Sequence, residues 1–277
     1  MPLPSAVQPF ISVFAARFLM TLQYRSAAFA GLVTQFWWGA IMTMWLATFY
    51  AGGRGNPSVT LADVISYIWL GQAFLALLPW NVDPEIAAMI RSGHIAYERL
   101  RPVDTYLFWL ARAAAWRAAA TLLRAVPLIA TAALLLPIIG LGDWALRPPP
   151  TILSLVAFLL SGMAMLALSA AVTTLLNISV VWTISGQGIV ALTTSLVLVL
   201  SGQIVPLALF PDWAQTALLV QPLAGLADIP RRIYCGNLTG AWVPITIGLQ
   251  IFWSLVFVWV GRAFMERTMR RIQVLGG

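Results

Sequence analysis

Long apolar runs separated by short polar breaks dominate the chain. Six of them are long enough to cross a hydrocarbon core of about 30 Å, which takes about 20 helical residues; they span 27–49, 61–80, 118–139, 151–176, 180–204 and 241–261. Thr60 and Asp63 form a helix-start signal before the second run. Helical patterning extends unbroken from Thr105 to Pro137, about 50 Å at 1.5 Å per residue, so part of that helix must lie outside the membrane core. Its first half, carrying Arg112 and Arg117, is expected to lie at the surface as an amphipathic stretch that enters the bilayer near Ala118 and bends at Pro127. Arg124 then falls at the inner headgroup boundary, where it either snorkels to the headgroups or faces a substrate or lipid head. Ahead of the first run, Phe10, Phe14, Phe18 and Leu22 recur every fourth residue while Arg17, Thr21 and Tyr24 share another face. That pattern predicts an amphipathic helix over 8–25 in the inner interface, with a short buried packing helix as the alternative. A secretory signal would need its charge before the apolar core and a small-residue cleavage site after it.

Composition places these runs in a membrane. The 277 residues are 61% hydrophobic and 9% charged, against roughly 25% charged in soluble domains. The expected fold class is an all-α integral membrane protein, a single domain over 1–277 with six transmembrane helices. Every one of the 16 basic residues is arginine, and the formal charge is +7. A basic chain suggests nucleic acid or anionic lipid, and here the charges border apolar spans, so the lipid bilayer is the expected partner and no nucleic acid is. With a cytoplasmic amino terminus, the inside receives Arg17, Arg25, Arg91, Arg99, Arg101, Arg112, Arg117, Arg262, Arg267, Arg270 and Arg271, and the outside keeps Arg54, Arg147, Arg231 and Arg232. This positive-inside bias predicts both termini in the cytoplasm and a multi-pass protein of the bacterial inner (plasma) membrane. Cys235 and His94 each occur alone, so neither an internal disulfide nor a four-ligand zinc site is available.

One polar island interrupts the apolar pattern. The stretch "DPEIAAMIRSGHIAYERLRPVD", residues 83–104, holds four of the nine acidic residues, three arginines and the histidine. Asp83 is placed to cap a helix with Pro84 in its first turn and Glu85 near the positive end of the dipole, Gly93 can end it, and Pro102 forces a break at Arg101. A short two-signed helix between two spans suits docking into another protein; an ordinary solvated loop is the alternative. Capping accounts for Asp83 and Glu85 without acid–base chemistry, and His94 has no nucleophile beside it, so no catalytic residue is expected.

The order of elements, together with "IRSGHIAYERLRPVDTYLFWLAR", resembles the membrane subunits of type-2 ATP-binding cassette (ABC) exporters, and more narrowly a family of permeases with a leucine-arginine-proline-valine string after the second span. The resemblance implies that 83–104 is a cytoplasmic coupling loop contacting a separately encoded ATPase through Glu85, Arg91, Gly93, Arg99, Arg101, Pro102 and Asp104, with His94 in the same string. It also implies two ATPase subunits per complex and a second permease, identical or paralogous. A phosphate-binding Walker loop needs a lysine and this chain has none, so ATP and Mg belong to the partner, with no cofactor here.

Between the fifth and sixth runs, Gly202, Pro206 and Pro211 interrupt an apolar stretch too broken to span. The resemblance implies re-entrant helices capping the passage there, with Trp213 as an interfacial anchor; a simple outer loop is the alternative. Thr183, Gln187 and Thr194 follow four- and seven-residue spacing and are candidates for a substrate path, as are Gln35 and Gln250; interhelical packing explains them equally. No acidic residue sits mid-span, which argues against a proton relay and favours an amphiphilic or lipid-like cargo. An ATP-independent carrier or channel, or a membrane anchor for a soluble partner, remains the alternative function.

Overall fold

The protein, seen in a computed structural model, is described over residues 7–53, 59–183 and 187–275, and those residues form helices without strands. In chain order they are α1 (Gln8–Leu22), α2 (Arg25–Ala51), α3 (Leu61–Ala73), α4 (Pro84–Arg91), α5 (Thr105–Ile138), α6 (Ile152–Thr183), α7 (Gln187–Leu200), α8 (Asp212–Val220), α9 (Asp228–Cys235) and α10 (Trp242–Leu275). Single-turn 3-10 segments occur at Leu75–Leu77 and Leu207–Leu209, and longer ones at His94–Leu100 and Pro222–Leu226.

Several boundaries are set by the local chemistry seen in the sequence. Thr60 and Asp63 form a reciprocal capping box, the Asp63 N–H donating to Thr60 Oγ1 at 3.2 Å and the Thr60 N–H to Asp63 Oδ2 at 3.1 Å. Asp83 caps α4 with Pro84 at its first position. After Arg91 the chain turns at Gly93, whose φ of +76° only glycine adopts without strain. The helix of α5 runs through Pro127 and widens into a π turn at Thr131–Leu135, one turn later.

Among the described residues four helices, α2, α5, α6 and α10, are long and apolar enough to cross a membrane, which points to a multi-pass membrane protein. The other two apolar runs form shorter helices. α3 has 13 residues and α7 has 14, about 20 Å each. α3 is short because it is wrapped in protein: every residue from Val64 to Ala73 is buried, and it packs on α2, α5 and α9. The Trp69 ring lies against Gly39 of α2, where a Cβ would stand 2.7 Å away, and its Nε1 donates to the Trp144 carbonyl at 2.8 Å. The helix expected to end near residue 176 continues to Thr183, because Leu176 and Asn177 to Val180 are all buried along α6.

The largest departure concerns the first half of α5. Tyr106, Trp109, Arg112, Ala113, Ala115, Arg117 and Ala119 are buried rather than at the surface, because α5 packs between α1 and α6, with Tyr106 and Trp109 set among Ile86, Ile178 and Met265. Arg117 is 3% exposed and uses its whole fork: Nε donates to Thr173 Oγ1 at 3.2 Å, Nη1 to the Ala76 carbonyl at 3.2 Å and Nη2 to the Asn81 carbonyl at 3.0 Å. A buried guanidinium satisfied this way joins α5, α6 and the segment that follows α3 instead of reaching for headgroups. Outward-facing positions remain apolar, as with Trp37, Trp38 and Trp45 on α2 and Leu255 and Trp259 on α10.

Candidate functional site

The loop between α3 and α5 stands on a buried charged base. Asp83 is 1% exposed. Its carboxylate accepts from the Glu85 N–H at 2.9 Å, and its own N–H donates to Asn177 Oδ1 of α6 at 2.8 Å. Arg17 of α1 places Nη2 3.0 Å from both Asp83 oxygens and bonds Glu85 through Nη1. Arg112 of α5 donates to Glu85 Oε2 at 2.9 Å and stands 3.5 Å from Asp83 Oδ2. Two guanidinium groups and two carboxylates thus balance, with ligating groups from α1, α4 and α5 and an amide from α6. Charge-assisted bonds of this kind are roughly twice as strong as neutral ones, and removing one partner of a buried pair leaves an uncompensated charge.

Above this base the loop presents an exposed tip. Arg91, Ser92, Gly93, His94, Tyr97, Leu100, Arg101 and Pro102 face outward, with Tyr97 and Leu100 65% and 78% exposed. The tip is held from beneath: Ile95 is buried in a cluster with Ile86, Trp109, Ile178 and Met265. Glu98, 4% exposed, accepts from Trp109 Nε1 at 3.3 Å and pairs with Arg101 at 3.3 Å, while the Arg101 guanidinium lies 4.8 Å from the Phe108 ring centroid. Ser92 Oγ and His94 Nδ1 are 3.1 Å apart. At the far foot Asp104 caps α5 by accepting from the Leu107 N–H at 2.8 Å and pairs with Arg262 of α10.

The structure therefore places Arg91, Gly93, His94, Arg101 and Pro102 at the exposed tip, Glu85 in the base and Asp104 at the far foot; the Arg99 side chain lies outside the described residues. What the sequence did not reveal is the base. Patterning along the chain places Arg17 and Arg112 at the interface and assigns Asp83 only a capping role. A separation of 66 positions between Arg17 and Asp83 leaves no spacing signal.

The substrate-path candidates are dispersed. Thr183 bonds the Ser179 carbonyl at 3.1 Å, Gln187 begins α7, and Thr194 Oγ1 lies 2.8 Å from the Val190 carbonyl and 3.3 Å from that of Trp80. Gln250 is buried between helices, accepting from Ser161 Oγ at 2.7 Å and donating to the Gly225 carbonyl at 2.8 Å. Gln35 is 2% exposed with neither amide atom partnered.

The broken segment after α7 folds against α3. Gly202 has φ +80° and a Cβ there would stand 2.5 Å from Tyr67 Oη, which lies 2.8 Å from both the Gly202 carbonyl and Asp228 Oδ1. Pro206 leads the Leu207–Leu209 turn, Pro211 precedes α8, and Trp213 is 85% exposed. Asp228 is wholly buried, accepts from the Leu207 N–H at 3.1 Å and pairs with Arg232 at 3.5 Å. Arg231, assigned to the outer surface by the charge count, is 3% exposed: it donates to Ala227 O at 2.7 Å and Gln203 Oε1 at 3.0 Å, with its guanidinium 4.2 Å from the Tyr67 ring centroid.

A family model described as ABC-2 family transporter protein matches residues 36–276. No curated protein matches the chain.

Proposed function

The chain belongs to the ABC-2 transporter family, as the transport subunit and not the ATPase, and on that premise we propose that it is the permease of an ATP-driven exporter whose motor pushes on residues 84–101. The observation that carries this reading is the loop's construction. Its tip is exposed, and its foot is bonded through Asp83, Glu85, Arg17, Arg112 and Asn177 to α1, α5 and α6. A push on the tip is thereby delivered to three helices at once, which a solvated loop would dissipate.

The proposed arrangement has six crossings, with α3 plus its 3-10 turn and α7 as the short ones, and short helices α8 and α9 folding back from the outer face. Contacts at the inner end support it: Arg17 near the amino terminus, the loop, and Arg262 near the carboxyl terminus all meet there, as both termini in the cytoplasm require. Two ATPase subunits and a second permease complete the complex, and ATP and Mg stay with the motor. The cargo is amphiphilic or lipid-like, in keeping with spans that carry no central acidic residue.

Reversing two tip charges tests the docking surface. Arg91→Glu with Arg99→Glu is expected to release the ATP-binding cassette ATPase in a copurification while the permease keeps its elution profile and melting temperature. An ATPase that stays bound and remains stimulated by substrate sinks the assignment.

A further inference from the structure

A cavity of about 420 Å³ opens where the α1–α2 corner meets α5, within the size range of small-ligand sites. Its wall includes Arg17, Thr21, Tyr24, Glu85, Trp116 and Arg124. The charges on this wall are not equivalent. Arg17 is spent on Asp83 and Glu85, and Glu85 is held by Arg17 and Arg112, so that group sums to zero with its fourth member. Arg124 is left over. Its Nε is buried without a hydrogen-bond partner, and no carboxylate pairs with it among the described residues.

A cation in that position demands an explanation beyond snorkelling, because the guanidinium does not simply lie on the surface. It is drawn against Gly31 of α2, where a Cβ would stand 2.7 Å from Cζ and 2.8 Å from Nε. The absence of a side chain at residue 31 leaves the head its place. The corner at Gln23–Tyr24 immediately precedes the long apolar helix α2, which sets the cavity near one membrane boundary, where phosphate groups are concentrated. A guanidinium matches phosphate oxygens with paired donors, and the Tyr24 and Trp116 rings suit the interface between polar and apolar surroundings.

We propose that this cavity is a phosphate-binding site, with Arg124 as its cation, occupied by the phosphodiester headgroup of a glycerophospholipid. The site is separate from the exposed tip of the 84–101 loop, yet it shares Arg17 and Glu85 with the base, so headgroup occupancy adjoins the lever.

The test uses the full-length chain in detergent micelles and native mass spectrometry. Phosphatidylglycerol is titrated in parallel with a glucosyl diacylglycerol of the same acyl chains, and inorganic phosphate is added as a competitor. The wild-type protein is expected to prefer phosphatidylglycerol. Arg124→Gln should weaken it by about tenfold, the loss of one charged hydrogen-bonding group, without changing glucosyl lipid binding. Arg124→Lys should fall between, and Arg147→Gln, at an exposed position outside the cavity, should match wild type. Inorganic phosphate that binds in an Arg124-dependent way while the two lipids bind alike would assign the site to free phosphate and overturn the headgroup as occupant. Equal phosphatidylglycerol binding by wild type and Arg124→Gln overturns the site altogether. Elution and melting check that the variants fold; if Arg124→Gln does not, Gly31→Ala, which displaces the guanidinium but keeps its charge, is read in its place with the same expected direction. Neither result depends on the ATPase, so its failure is distinct from failure of the docking surface.

Discussion

Asp83 and Asp228 are both buried carboxylates near arginines, yet they serve two ends of the molecule differently. Around Asp228 everything is closed. Its partners, Tyr67, the Leu207 N–H and Arg232, lie within α3, the turn after α7 and α9, and Arg231 seals the neighbouring side against the Tyr67 ring. Around Asp83 the network is graded. Asp83 itself is buried, but Glu85, which shares both of its arginines, has a 53% exposed side chain, and the chain beyond it leads to an exposed tip. A closed network fixes a segment in place, whereas one that runs from the interior to the surface can transmit a load applied outside.

Variants at the two aspartates should separate these roles. Asp228→Asn has the largest expected effect, because Asp228 is wholly buried, accepts from Tyr67 and the Leu207 N–H, and is the carboxylate paired with Arg232 among the described residues. Breaking a buried pair costs about 3–5 kcal/mol, and the variant should melt far below wild type in detergent. A melting temperature within a degree or two of wild type would remove the reading of Asp228 as the centre of a closed network.

Asp83→Asn should cost less, about 2 kcal/mol, the scale of hydrogen bonds to charged groups, since Glu85 already contacts both Arg17 and Arg112 and can retain them. Its signature is functional. The tip is intact, so the ATPase still copurifies, but transport per ATP hydrolysed falls because the loop is loosened from Arg17 of α1 and Arg112 of α5, while the Asp83 N–H keeps its bond to Asn177 of α6. Tight coupling with a slack base would mean that force enters elsewhere, for instance through the Asp104–Arg262 foot.

The same two regions show what a single sequence can carry. Local chemistry was legible: Thr60 with Asp63, Asp83 with Pro84 and Gly93, and the break at Pro102 are decided by neighbours in the chain, and the structure has each of them. Burial of charge was not. Arginine beside an apolar run is placed at the interface by composition, and only the packing of α1, α6 and the segment after α3 on α5, and of α9 on α3, turns Arg17, Arg112, Arg117 and Arg231 inward. The length of α3 was hidden for a related reason. Apolar residues covered by protein and apolar residues covered by lipid read alike, and a helix enclosed on every side need not match the thickness of a bilayer.

The smallest expected effect concerns two glutamines, one on each side of this divide between satisfied and unsatisfied burial. Gln250 bonds Ser161 and Gly225, so its role is packing α10 against α6 and the Pro222–Leu226 turn. Gln35 is as deeply buried in α2, but both of its amide atoms lack partners. An unsatisfied buried polar group costs about 1–3 kcal/mol, so Gln35→Met, close in volume and apolar, should raise the melting temperature of the isolated permease, by the equivalent of about 1 kcal/mol once the imperfect fit of the new side chain is subtracted. Gln250→Met should lower it. If Gln35 belongs to the substrate path, the stabilised variant will transport more slowly in the assembled complex, a trade of stability for function that a packing residue would not make. Stabilisation with unchanged transport would take Gln35 off the path, and no stabilisation at all would mean that its amide is satisfied by a partner or by water that reaches it between the helices.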